Sequence, residues 1–202
     1  MNSFKYLGIH CTSSPYDVEI TADDIFKWHL GLKHCKDGRL IYRGKYVEKS
    51  ELLGLNLDLP SGDKIEVLNS KGRGWTQVGY SDLIQRSGKL VNLVPYNFDN
   101  IIDSREITNG APGYNSVSRH VALAGGWTLN QIKNGINPQT NDYFLPEELF
   151  TTSQLETLLK YICVQLQISS KIIIVGHNQL TNKRTCPNFD VRKFLQSNKF
   201  LT

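Results

Sequence analysis

A histidine and a cysteine stand nine residues apart in GHNQLTNKRTCPNFDV (residues 176–191), with Lys183 and Arg184 just before the cysteine. Imidazole nitrogen and thiolate sulfur are donors that hold zinc, and a hydrolytic zinc needs three protein ligands with a fourth position left for water. His177 directly follows KIIIVG, so a buried strand would aim it from a rigid base, and Cys186 precedes Pro187 at the mouth of the last helix. His10 is the comparable position elsewhere: it also ends an apolar run, and the small polar Thr12 and Ser13 come after it. Two strand-end histidines and one loop cysteine could converge on a metal at one edge of a sheet. A plainer reading stands beside this one. A strand-end histidine is commonly a hydrogen-bonded surface residue, a lone cysteine is commonly core, and nine residues is not a zinc-finger spacing. His34 and His120 have no comparable placement; His120 lies inside SRHVALAGG, where a structural role is expected.

The chain of 202 residues is long enough for one domain with a full core, or for a domain carrying a sizeable insertion. Its 23 basic and 19 acidic residues leave a net charge of only +4, too mild to point to nucleic acid, and no RNA-binding signature is present. No segment approaches the roughly 18 to 20 apolar residues of a membrane span, so stable membrane insertion is not expected. MNSFKYLGIHCTSS lacks the basic, apolar and small-residue regions of a secretory signal, so the expectation is synthesis in a cytoplasm without a signal peptide. The four cysteines (11, 35, 163 and 186) form no CxxC pair and are expected as free thiols, with Cys163 in LLKYICVQL as a small core residue.

The elements that must position these residues can be read from pattern. FKYLGIHC (4–11) reads as a short buried strand. Thr21 with Asp24 opens a helix to about Leu32, with Ile25, Trp28 and Leu32 as its apolar face and His29 as a packed, hydrogen-bonded histidine beside it. RLIYRGKYVE reads as a hairpin turning at Gly44, within a β-rich insertion over residues 33–74. GYSDLIQRSGKLVNLV gives two strands around Arg86-Ser87-Gly88, and SRHVALAGG gives another. WTLNQIKNGINPQTNDYF is polar and turn-rich. Ser153 with Glu156 caps a helix to about Gln167, with Leu155, Leu158, Leu159, Ile162 and Leu166 at helical spacing. KIIIVG (171–176) reads as a β-branched central strand, and NFDVRKFLQ as a final short helix. Interleaved strands and helices predict an α/β fold: a single domain with a mixed central β-sheet flanked by helices.

Four blocks, YLGIHCTSSPYDVEITADDIFKWH, GWTQVGYSDLIQRSGKLV, GYNSVSRHVALAGGW and IIIVGHNQLTNKRTCPNFDVRKFL, cover roughly half the chain and occur in the order found in zinc N-acetylmuramoyl-L-alanine amidases. This sequence resembles that family, which includes phage amidase-type lysozymes and animal peptidoglycan recognition proteins. The resemblance implies zinc ligands at His10, His177 and Cys186, the trio already reached from placement. It also implies an active-site tyrosine at Tyr80 and a catalytic basic residue at Arg184, with Lys183 as the fallback. Three departures accompany it. Ser81 stands where the family usually has His or Asn after the tyrosine. TNGAP replaces a loop that often carries a His, and Ala122 falls where some relatives place a catalytic Glu.

What the resemblance implies is a Zn2+-dependent cut of the amide between N-acetylmuramic acid and L-alanine in bacterial peptidoglycan, in the manner of a phage or prophage endolysin that reaches the wall after release or export. The alternative within the same fold is a peptidoglycan-binding protein without catalysis. Members that lost catalysis have typically lost a metal ligand, above all the cysteine, and Cys186 is present here.

Overall fold

The computed structural model describes residues 2–135, 143–181 and 185–200. Its central sheet has five strands, numbered here in chain order: β1 (Tyr6–Cys11), β2 (Asp82–Ile84), β3 (Leu90–Asn92), β4 (Ser118–Leu123) and β5 (Ile173–Gly176). The α-helices are α1 (Ala22–Leu30), α2 (Leu129–Asn134), α3 (Pro146–Leu149), α4 (Thr152–Ile168), α5 (His177–Thr181) and α6 (Val191–Ser197). The spatial order is β3-β2-β4-β1-β5, with β3 antiparallel to β2 and every other pair parallel. This is the mixed α/β architecture expected from the sequence. No helix among the described residues is long and apolar enough to cross a membrane.

The chain packs as two compact units, residues 1–20 with 80–202, and residues 21–79. In the first, alternate residues of the inner strands (Leu7, Ile9 and Cys11 on β1, Val121 and Leu123 on β4) form one core with Leu155, Leu158 and Ile162 of α4. Each such aliphatic side chain, fully buried, contributes about 1.5–3 kcal/mol. Strand alternation turns Gly8 and His10 to the opposite face. Helix α4 is also tied to the sheet by polar bonds. Gln154 Nε2 donates to the carbonyls of Ile84 (3.2 Å) and Ala124 (2.8 Å), and Tyr161 donates to the buried Asp82 carboxylate at 2.7 Å. Burial pushes the Asp82 carboxyl above the usual carboxylate range.

Four local readings are corrected by the structure. The cap of α4 is Thr151 with Gln154, not Ser153 with Glu156, because Gln154 is also the residue that the sheet carbonyls hold. Cys163 is exposed on α4 rather than in the core. The strand read as central, β5, is at the edge of the sheet, with Ile173 55% exposed. WTLNQIKNGINPQTNDYF contains α2, opened by a Thr128–Gln131 capping box, while residues 136–142 lie outside the described part.

The unit of residues 21–79 has its own core of Leu32, Tyr42, Leu52, Leu57, Leu59 and Val67. Thr21 and Asp24 form the expected capping box of α1, but Trp28 is 39% exposed and only Ile25 and Leu32 of the expected stripe are buried. The hairpin of Leu40–Tyr42 and Lys45–Val47 turns through Arg43 and Gly44, both at positive φ. That is the two-residue primed turn whose twist suits a hairpin. His29 is packed as expected: it accepts a hydrogen bond from the Gly79 N–H at 3.0 Å and stacks on Trp75. Burial, and secondly the Arg73 charge, push its imidazole down to about 4 from 6.5. Native His29 therefore stays neutral while the unfolded chain takes up a proton. Stability should be full above pH 6.5, fall as the pH drops towards about 4, and level off below. The gap corresponds to roughly 3 kcal/mol. Urea unfolding of wild type and His29→Gln across this range checks it, with a shallower slope expected in the variant.

Candidate metal centre

Strands β1 and β5 run in the same direction with Gly176 opposite Ile9, so the next residues, His10 and His177, leave the sheet at one edge. Their ring centroids are 4.5 Å apart, with a tilt of 36° between the planes. The third residue arrives from the segment before α6. There the Asn178 N–H donates to the Cys186 carbonyl at 2.9 Å, and Asn188, at φ 71°, donates through its side chain to the Gly126 carbonyl at 2.8 Å. Asp190 caps α6 by accepting from the Lys193 N–H. The outcome is that one donor atom from each of His10, His177 and Cys186 lies within 4.8 Å of the others.

This donor set fits zinc. Two imidazole nitrogens and a sulfur are ligands of borderline softness, and three protein ligands are the number that leaves a position for water. The nitrogen of His10 that faces the cysteine is Nδ1, 3.9 Å from Cys186 Sγ. A thiolate is the ligating form of cysteine, and hydrogen bonds to it favour that form. Here the Cys11 N–H donates to Cys186 Sγ at 3.2 Å, and the Cys11 thiol lies 3.8 Å from the same sulfur. Strand alternation does place Cys11 in the core on the face away from His10, yet its position at the end of β1 still brings its sulfur beside Cys186.

Tyr80 sits just before β2, half-buried, with its ring centroid 5.2 Å from that of His10. Its neighbour Ser81 holds it to β4: the Ser81 N–H donates to the His120 carbonyl at 2.7 Å, and Ser81 Oγ accepts from the His120 N–H at 3.3 Å. Lys183 and Arg184 lie outside the described residues. Ala122 is buried and pairs with His10 across β1 and β4, and the converging group contains no carboxylate. His34 is exposed on a strand of the 21–79 unit.

The residue that sequence reading set aside is His120. It is fully buried, and its Nδ1 lies 3.0 Å from His10 Nε2. Burial, with a smaller contribution from the charge of His177, pushes its imidazole down to about 3, so it is neutral at ordinary pH. A signal existed: His120 lies two residues before Ala122, so in a parallel pairing of these strands it shares the face of His10.

No family model matches the chain. An endolysin of Klebsiella phage KP32 is 28% identical over 133 residues, 65% of this chain and 73% of that protein. Among solved structures, the N-acetylmuramoyl-L-alanine amidase LysC from Clostridium intestinale superposes with a TM-score of 0.54 at 14% identity, over 98% of this chain and 87% of its own. Drosophila PGRP-LB superposes with a TM-score of 0.52 at 16% identity, over 100% of this chain and 84% of its own. At these identities the structural likeness establishes the fold.

Gly8 is the sequence feature that lets the two histidines meet, since a Cβ there would stand 2.5 Å from His120 Nδ1. Gly8→Ala should displace the buried ring and cost about 1–3 kcal/mol of stability, the usual range for overpacking. Urea denaturation measures the loss, and histidine ring resonances should shift with it. An unchanged midpoint with unchanged resonances would mean that the ring yields freely.

Proposed function

We propose that this chain, which has the fold shared by N-acetylmuramoyl-L-alanine amidases and peptidoglycan recognition proteins, is an endolysin-type amidase that uses His10, His177 and Cys186 to hold a catalytic zinc. The observation that carries the reading is the meeting of those three donors within 4.8 Å at one sheet edge, in a chain similar to a phage endolysin. The substrate is bacterial peptidoglycan. The bond cut is the amide joining the lactyl group of N-acetylmuramic acid to L-alanine of the stem peptide: water adds across it, giving a carboxylic acid and a free α-amine.

When bound, zinc supplies Lewis acidity that activates water and polarises the scissile carbonyl. The chain's own residues do the rest. Two neutral imidazoles and one thiolate leave the centre a net charge near +1. The Tyr80 hydroxyl donates a hydrogen bond toward the oxygen on which charge develops. Arg184, or failing it Lys183, supplies a fixed positive charge beside that oxygen. Arginine keeps its proton at any working pH, so its part is electrostatic and not proton transfer. In this reading the enzyme is made inside the cell and meets the wall after release or export by another factor.

Wild type, His177→Ala and Tyr80→Phe are each assayed for bound zinc and incubated with purified peptidoglycan, and mass spectrometry looks for stem peptides with an unblocked N-terminal L-alanine. Wild type should hold one zinc per chain and release such peptides. His177→Ala should lose both. Tyr80→Phe should keep its zinc and slow turnover by about 10²–10³-fold, the range for removing one oxyanion donor. Zinc binding by wild type with no such peptides released would sink the amidase reading.

A further inference from the structure

His10 has two ring nitrogens with opposite surroundings. Nδ1 faces Cys186 Sγ at 3.9 Å, while Nε2 lies 3.0 Å from His120 Nδ1. Only one proton can sit between Nε2 and Nδ1 of the two rings. If His120 donates it, the remaining proton of a neutral His10 is on Nδ1, and the nitrogen that should take the metal is blocked. If His10 donates it, Nδ1 is a bare lone pair aimed at the site. We propose that His120 is a positioning residue: by accepting a hydrogen bond from His10 Nε2–H it fixes the ligand's tautomer and ring orientation, leaving His10 Nδ1 ready for the metal.

Several features of the fold support that role. The ring of His120 makes a single hydrogen bond among the described residues, the one to His10, since its buried Nε2 has no partner there. Its backbone is held on both sides by Ser81. On the partner strand it pairs with Gly8, the one residue that leaves room for its ring to reach His10. A ligand histidine usually gives its second N–H to a carboxylate, a carbonyl or water. A carboxylate would add a second negative charge next to the Cys186 thiolate. An imidazole that accepts this hydrogen bond through Nδ1 adds no such charge, because the accepting nitrogen carries no proton.

The inference rests on His10 being a metal ligand, as proposed above, so its test separates the two. Two-bond proton–nitrogen spectra of ¹⁵N-labelled, metal-free wild type should show His10 protonated at Nε2. Zinc affinity is then measured by competition with a chromophoric chelator for wild type, His120→Asn and His120→Leu, with circular dichroism confirming the fold. Asn and Leu share the same branched heavy-atom skeleton, but only Asn can place an acceptor oxygen near the position of Nδ1. The Leu variant should bind zinc about 10–100-fold more weakly, as when other supporting partners of metal ligands are lost. It should also populate the other His10 tautomer, and the Asn variant should restore both readouts toward wild type. Equal weakening in the two variants, or Leu binding as wild type does, would overturn the role. So would a wild-type His10 protonated at Nδ1, a result that stands even if the Leu variant fails to fold. Wild type that binds no zinc at all would overturn the metal reading, and this inference with it.

Discussion

The parallel pairing of β1 with β5 is the constraint on which the candidate metal centre depends. Both strands point the same way with Gly176 opposite Ile9, so the histidine that follows each emerges at the same edge. Side chains alternate along a strand, and a slip of one residue would turn a histidine to the opposite face. What holds the register is on the far side of the sheet. Leu7 and Ile9 of β1 are buried with α4, and Ile174 of β5, opposite Leu7, packs against the same core, so a one-residue slip would turn core side chains to the histidine face. The hydrophobic core thus sets where the two histidines stand from the opposite face of the sheet. The edge they reach is where β4 and β5 flank β1, at the carboxyl ends of these strands, the crevice in which open α/β sheets collect their ligands.

The cysteine comes by a different route, and it is fixed by backbone groups. Its own carbonyl accepts from Asn178, in the helical turn that begins with His177, while its sulfur accepts from the N–H of Cys11, the residue after His10. Each histidine is therefore linked to the cysteine through its immediate chain neighbourhood. Three donors far apart in sequence are held by short-range bonds, a preorganisation that would lower the cost of assembling the proposed centre around a metal.

How far the sequence reveals this follows from what each signal depends on. Features set by local chemistry are legible: the Thr21–Asp24 cap, the hairpin turn at Gly44, and the strand ends that carry His10 and His177. Features decided by tertiary partners are not. Both Thr151–Gln154 and Ser153–Glu156 have the spacing of a capping box, and the choice falls to Gln154 because two sheet carbonyls need its amide. A β-branched run reads the same at a sheet edge as at its centre, so pattern alone does not place β5 at the edge it occupies. Cys163 adjoins the buried Ile162 in sequence, yet the next helical position turns it to solvent. His120 reads as an ordinary strand residue until the register with β1 shows that its ring crosses above a glycine to meet a ligand.

That register also bears on how the centre manages charge. Ala122, not a carboxylate, lies opposite His10, and the histidine behind His10 is kept neutral by its burial. In the proposed centre the single anionic donor is the Cys186 sulfur, with the Cys11 N–H and thiol beside it. With zinc bound as proposed, a centre built this way keeps a positive balance in the resting state, and among the described residues the converging group contains no carboxylate. In the proposed reading, acceleration comes from groups that answer the negative charge appearing on the substrate oxygen: the hydroxyl of Tyr80, whose ring lies beside that of His10, and the cation assigned to Arg184 or Lys183. Such groups gain most when they meet charge present only in the transition state. A donor set poor in carboxylates therefore suits a site whose task is to stabilise a transient oxyanion.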